Sequence, residues 1–170
     1  MGHDEHADFM AMAAPGREHA RLQPFVGTFR SQVKMWMGPG EPMVTTGTMT
    51  NTLVLGGRFL SQDYKGDENE GPFPSFEGRG FWGYNKAAGR YEGFWIDTAT
   101  TMMQHESGTV DATGKRWVME GEMVDPRGGT IMKRTVITLD DDDHHRLEMF
   151  FIKDGNETRS MEIRYQRAKK

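Results

Sequence analysis

The chain has 170 residues, 11% of them aromatic and 21 of them glycine, with a formal net charge of -4 spread over interspersed acidic and basic side chains. That length supports one hydrophobic core, and the aromatic and glycine content argues for a folded, turn-rich β protein rather than a disordered or helical one. No basic stripe is present to meet a phosphate backbone, no apolar run approaches the roughly 18 residues of a membrane span, and there is no cysteine for a disulfide or thiolate ligand, so nucleic acid and membrane are excluded as expected partners and a cytoplasmic location fits.

Residues 1–14 mix charge, His and Met without periodicity and read as a disordered arm, leaving 15–170 as a single domain. His3 behind a free amine has the spacing of a Cu(II) chelate, but the surrounding composition reads as a tail and no metal is expected. From Pro15 a short helix over Gly16 to Gln23 is predicted, started near Pro15 and stopped by Pro24. From Phe25 onward, short extended runs alternate with turn chemistry such as Gly56-Gly57, Asp125-Pro126-Arg127-Gly128-Gly129 and Asp154-Gly155-Asn156. The runs predict strands at 26–37, 43–55, 58–65, 75–84, 90–97, 101–110, 115–124, 129–139, 146–153 and 158–167. Short neighbouring connections favour an antiparallel meander, and closing it removes both exposed edges. The fold class is therefore all-β: an antiparallel up-and-down lipocalin-like β-barrel of eight to ten strands, with one short N-terminal helix packed across one end.

The segment Gly78 to Asp97 reads as a hairpin that meets apolar surroundings on both faces, because Phe81 and Trp82, like Phe94 and Trp95, have opposite parity. A five-residue loop from Asn85 to Gly89 would pair Tyr84 with Arg90. That register puts Arg79, Phe81, Tyr91, Trp95 and Asp97 on a pocket face and Trp82, Tyr84, Phe94 and Ile96 on an outer cover, and a change of one residue would overturn it. Arg134 shares its parity with Thr130, Met132, Val136 and Thr138, and would need a carboxylate or a bound anion if it faced inward. The face Trp117, Met119, Gly121, Met123 alternates with Val118, Glu120, Glu122, Val124.

Several local patterns coincide: Pro15-Gly16-x-x-His19-x-x-Leu22, Gly27-Thr28-Phe29, Trp36-x-Gly38-Pro39-Gly40, Gly57-Arg58-Phe59-Leu60, Gly83-Tyr84, Trp95-Ile96-Asp97 and Tyr165-x-Arg167. From about Pro15 to Arg167 the chain resembles a bacterial family defined as a domain of unknown function, similar in kind to the calycins, the lipocalin and fatty-acid-binding barrels. The resemblance implies a barrel in which an arginine of the last strand packs on a first-strand aromatic. Phe29 stands where lipocalins place Trp, and Arg167 is the matching arginine. The Arg-x-Tyr carboxylate clamp of fatty-acid-binding barrels does not carry over, since Arg164 and Tyr165 point to opposite faces.

The densest polar cluster is Asp97, Thr98, Thr100, Thr101 and His105, next to Trp95. It reads as an Asp and threonines bonding the next turn, as a ligand anchor, or as an acid and base pair. Methionines 102, 103, 119, 123, 132, 149 and 161 fall in or beside the strands and serve either as core or as an adaptable pocket wall. The run Asp140 to His145 lacks the glycine and distal glutamate of a calcium loop and reads as a solvated turn. No nucleophile elbow, phosphate loop or zinc-protease helix is present, so an enzyme is not favoured. The expected function is reversible binding of a small, largely apolar or amphipathic molecule with one polar or anionic group. Trp36, Trp82, Trp95, Met119 and Met132 are the apolar wall candidates and Asp97, His105 and Arg134 the polar anchors. No cofactor is expected, although His105, in a predicted strand, is a candidate ligand for haem. Alternatives are an isomerase or hydrolase using Asp97 and His105, or a packed barrel acting through association. The two-faced aromatics of the hairpin make a homodimer the expected assembly.

Overall fold

The computed structural model describes residues 4–169, so the expectation about His3 lies outside the described residues. Ten strands follow one another: β1 (Gly27–Met35), β2 (Met43–Val54), β3 (Phe59–Gly66), β4 (Glu77–Asn85), β5 (Arg90–Asp97), β6 (Gln104–Val110), β7 (Arg116–Val124), β8 (Thr130–Leu139), β9 (His144–Lys153) and β10 (Asn156–Arg167). Each pairs antiparallel with its neighbours, and β1 pairs with β10, with Phe29 opposite Arg167, so the sheet closes into a barrel. Closure satisfies the ladder on both sides of every strand and leaves no edge for another chain to extend. Among the described residues no helix is long and apolar enough to cross a membrane.

Where a disordered arm is expected, Glu5–Ala13 form helix α1, its N-terminus capped by the Asp4 carboxylate accepting from the Ala7 amide. No residue of α1 is buried. Arg58 and Lys86 donate to the Ala13 and Ala11 carbonyls, placing cations at the helix C-terminus, where the dipole favours them. The helix expected over Gly16 to Gln23 is broken in two, α2 (Arg17–Ala20) and a 3-10 turn at Gln23–Phe25, because Pro24 has no amide to continue the ladder. Leu22 and Phe25 enter the barrel and pack with Leu60, Trp82, Tyr91, Trp117 and Met119, closing one end. The Phe25 ring lies 5.0 Å from that of Trp82 and 5.3 Å from that of Trp117. Burying such a side chain contributes roughly 1.5–3 kcal/mol. The Asn51 amide donates to the Phe25 carbonyl and the Tyr91 hydroxyl to the Glu18 carbonyl, fixing this plug to the wall.

At the same end Arg167 lies over Phe29, 4.6 Å from its ring centre, and donates to the Val26 and Pro24 carbonyls. The last strand thus holds the segment that precedes the first. His145 is also here, inward and buried against Phe25, Phe29 and Tyr165. Only part of the run Asp140 to His145 is therefore a solvated turn.

The hairpin differs from expectation by one residue. Asn85 pairs with Arg90 and Tyr84 with Tyr91, leaving a four-residue loop. The Asn85 side chain accepts the Ala88 amide, the Asn85 carbonyl accepts the Gly89 amide, and Gly89 takes φ 65°, a left-handed conformation that glycine adopts without strain. In consequence Trp82, Tyr84, Tyr91, Trp95 and Asp97 face inward, while Arg79, Phe81, Phe94 and Ile96 face outward.

Candidate functional site

The plug closes the end reached by the C-termini of β2, β4, β6, β8 and β10. At the opposite end the wall opens into a cavity of about 340 Å³. Phe25, Asn51 and Trp82 form its floor, and Met35, Met37, Met43, Met102, Met123 and Met161 gather toward its mouth. Unbranched thioether side chains of this kind adjust to differently shaped apolar guests. Two polar atoms of the floor are buried without a partner, the Asn51 side-chain oxygen and the Trp82 indole N–H. An acceptor and a donor without partners in an apolar floor each carry a desolvation cost.

The wall carries one aromatic plate. Gly78 and Gly80 face inward on β4, and the Trp95 indole lies flat over them: a Cβ built on Gly80 would sit 2.8 Å from the ring, and one on Gly78 would collide with it. The ring is held from its edge, because Trp95 Nε1 donates to Asp97 Oδ2 at 2.9 Å. The other carboxylate oxygen accepts the Ala99 and Thr100 amides at 3.0 and 3.2 Å, so Asp97 also shapes the β5 to β6 turn at the mouth.

Beside this plate, on the adjoining wall, is a buried ionic group, Gln104 pairing directly with Trp95 across β5 and β6. Lys133, 3% exposed, reaches Glu106 Oε2 at 3.3 Å and Gln104 Oε1 at 3.0 Å, and the Thr135 hydroxyl donates to Glu106 at 2.8 Å. Lys133 is on β8 and Glu106 on β6, and β7 between them presents Gly121 opposite Lys133. A side chain there would collide with the His105 carbonyl, and its absence leaves the gap through which lysine reaches glutamate. Across the cavity the Tyr64 and Ser31 hydroxyls share a hydrogen bond of 2.9 Å. Burial pushes the Tyr64 and Tyr165 phenols up, so both stay neutral at physiological pH.

The family described as "Protein of unknown function (DUF1579)" matches residues 14–167, nearly the whole barrel and its plug. The chain belongs to this family. No curated protein matches it. Among solved structures, the DUF1579 barrel is similar to Rv2717c from M. tuberculosis, with TM-score 0.65 and 12% identity over 92% of this chain and 100% of that one. It is similar also to the S-type phycobiliprotein lyase CPES from Guillardia theta, with TM-score 0.61 and 11% identity over 92% of this chain and 99% of that one. At such identities the likeness is one of fold.

Of the eight residues singled out from sequence, Trp82, Trp95 and Asp97 line the cavity of this DUF1579 protein. Met119 also faces inward but is packed into the closed end, 1% exposed. Four lie elsewhere. Trp36 follows β1 on the outside, with the Arg159 guanidinium 5.0 Å from its ring. Met132 and Arg134 share the outer face of β8, and Arg134 is bound by Glu120 at 2.8 Å and Glu157 at 2.5 Å, which answers its need for carboxylates without any inward charge. His105 is exposed on the outer face of β6, its ring 5.6 Å from that of Phe94. Asp97 and His105 therefore do not meet, so the acid and base pair is not assembled, and His105 cannot present a nitrogen to a haem inside the barrel.

The residues missed are Lys133, Glu106, Gln104 and Asn51. A signal was present: Lys133, Thr135 and Ile137 alternate with the outward set, and Gly121 breaks an otherwise bulky inward face. His145 was missed because β9 starts at His144, two residues before the predicted strand.

Proposed function

We propose that this protein reversibly binds a small, largely apolar molecule carrying one polar group, held in the barrel cavity. The observation that carries the reading is the cavity of about 340 Å³, walled by methionines and aromatics, with a few fixed polar groups at defined depths. This is the composition of ligand sites, in which apolar lining supplies affinity and sparse polar atoms set orientation. The methionine mouth suits entry of guests that differ in shape. Trp82 and Trp95 place two native fluorophores in the wall. Titration with a panel of fatty acids, aromatic acids, neutral aromatics and haem should shift tryptophan emission and raise the melting temperature for at least one member. A panel that leaves both unchanged overturns the proposal. A homodimer is a second part of the reading, supported by the outward Phe81 and Ile96, 46% and 37% exposed, beside Phe94 on the outer face. Light scattering should then give twice the chain mass at micromolar concentration, and a monomer mass removes it.

A further inference from the structure

Resting on the ligand-binding reading above, we propose that the cavity selects uncharged, planar molecules and rejects carboxylates. Three observations converge on this class.

The first is charge. Among the described residues lining the cavity the only cation is Lys133, and its ammonium is already engaged by Glu106 and Gln104. The lining carboxylates are Asp97 and Glu106. A guest carboxylate would have to displace Glu106 or lose its hydration beside two acidic groups with no free cation to receive it, which is discrimination by an unpaired buried charge. The second is shape. Trp95 lies flat on the Gly78 and Gly80 stretch, and Asp97 holds its edge, so the ring is a fixed plate that a planar guest stacks upon without reordering the wall. The third is the floor, where the Asn51 oxygen accepts and the Trp82 N–H donates, both buried and unpaired. A guest that can donate as well as accept, such as a phenol or an amide, suits such a floor, whereas a carboxylate only accepts and leaves Asn51 unpaired.

The test uses naphthol and naphthoate, which share a ring system and differ in charge, measured by calorimetry and thermal shift at neutral pH. Naphthol is expected to bind at least about tenfold more tightly to the native protein. Glu106→Gln, nearly isosteric, leaves Lys133 without its carboxylate and is expected to invert the preference, with naphthoate gaining about tenfold or more and restoring the variant's melting temperature. Should Glu106→Gln fail to fold, the double variant Lys133→Met, Glu106→Leu replaces the ionic group by apolar side chains; it should retain naphthol and still reject naphthoate. Naphthoate binding the native protein as tightly as naphthol overturns the selectivity while leaving the carrier reading intact. Failure of both compounds at millimolar concentration overturns it too, and the broad panel above judges the carrier reading separately.

Discussion

Removing the Glu106 charge is the most informative perturbation of the wall. In Glu106→Gln the Lys133 ammonium, 3% exposed, loses a carboxylate at 3.3 Å and retains the Gln104 oxygen at 3.0 Å. Orphaning one partner of a buried pair costs about 3–5 kcal/mol, and the retained acceptors place this case near the lower end, about 3 kcal/mol. The reciprocal Lys133→Met leaves Glu106 with the Thr135 hydroxyl and a side chain 18% exposed, so water relieves it and the expected cost is about 1–2 kcal/mol. Lys133→Met with Glu106→Leu removes both desolvation penalties and is expected to match or exceed the native stability. Urea unfolding at neutral pH measures all four proteins; with a slope of about 1–3 kcal/mol per molar, a loss of 3 kcal/mol moves the midpoint by about 1 M or more. If Glu106→Gln unfolds with the native protein, or if the double variant is less stable than both single ones, Lys133 is not a buried ammonium that depends on Glu106.

Burial, with Arg167 nearby, lowers the His145 pKa to about 3 from 6.5, so the folded state stays neutral where the unfolded chain takes up a proton. Its stability contribution is complete above pH 6.5 and declines as pH falls toward 3, with a slope approaching about 1.4 kcal/mol per pH unit. His145→Phe should flatten urea midpoints between about pH 5 and 6.5, leaving smaller slopes from His19, whose pKa burial also lowers, and at the acid end from Glu162, whose carboxyl is held below 4.5, despite its burial, by Arg164 and Arg159. Asp67 and Asp125, held at about 2 by Arg30 and Lys153 respectively, lose their contribution as pH falls from about 5 toward 2, below that window; an unchanged slope in the variant refutes the assignment. Gly78→Ala drives a methyl group into the Trp95 ring and should cost about 1–3 kcal/mol with loss of ligand; adding Trp95→Leu should recover part of the stability but not the affinity, since the plate is gone; retention of affinity in the single variant refutes the plate. Arg167→Lys keeps the charge but not the fork that reaches the Val26, Pro24 and Asp142 carbonyls, and thermal unfolding should show a loss of about 1–2 kcal/mol; a native melting curve would mean the fork contributes nothing.

The barrel was legible because turn chemistry and strand length depend on local residues, and the Asp-Gly and Gly-Gly turns stand where the punctuation put them. Facing was harder. Asn85 joins the ladder while also capping its own loop, so a five-residue loop shrinks to four and every ring on one side of the hairpin changes face. Lys133 and Arg134 show the deeper obstacle: adjacent cations on one strand, of which the inward one is bound by Glu106 on the second strand over, and the outward one by Glu120 on the adjoining strand and Glu157 near the β9 to β10 turn. Such pairings depend on the closed register, which no local pattern encodes. Trp95 faces the cavity in the expected register and in the observed one, Trp82 only in the observed one, and Asn51 looks on paper like any polar strand residue.

The pairing of Phe29 with Arg167 sets a timetable for synthesis. The first strand leaves the ribosome with one flank unsatisfied and keeps it so until the tenth emerges, on the order of ten seconds later at about 5–20 residues per second. During that interval the nascent meander is an open sheet with two sticky sides, and a chaperone that shields β1 would act on the step that commits the chain. Rejoining the ends and opening the chain at the 111–115 turn would make the β1 to β10 contact local, and faster refolding of that permutant would report how much of the barrier is the wait for closure.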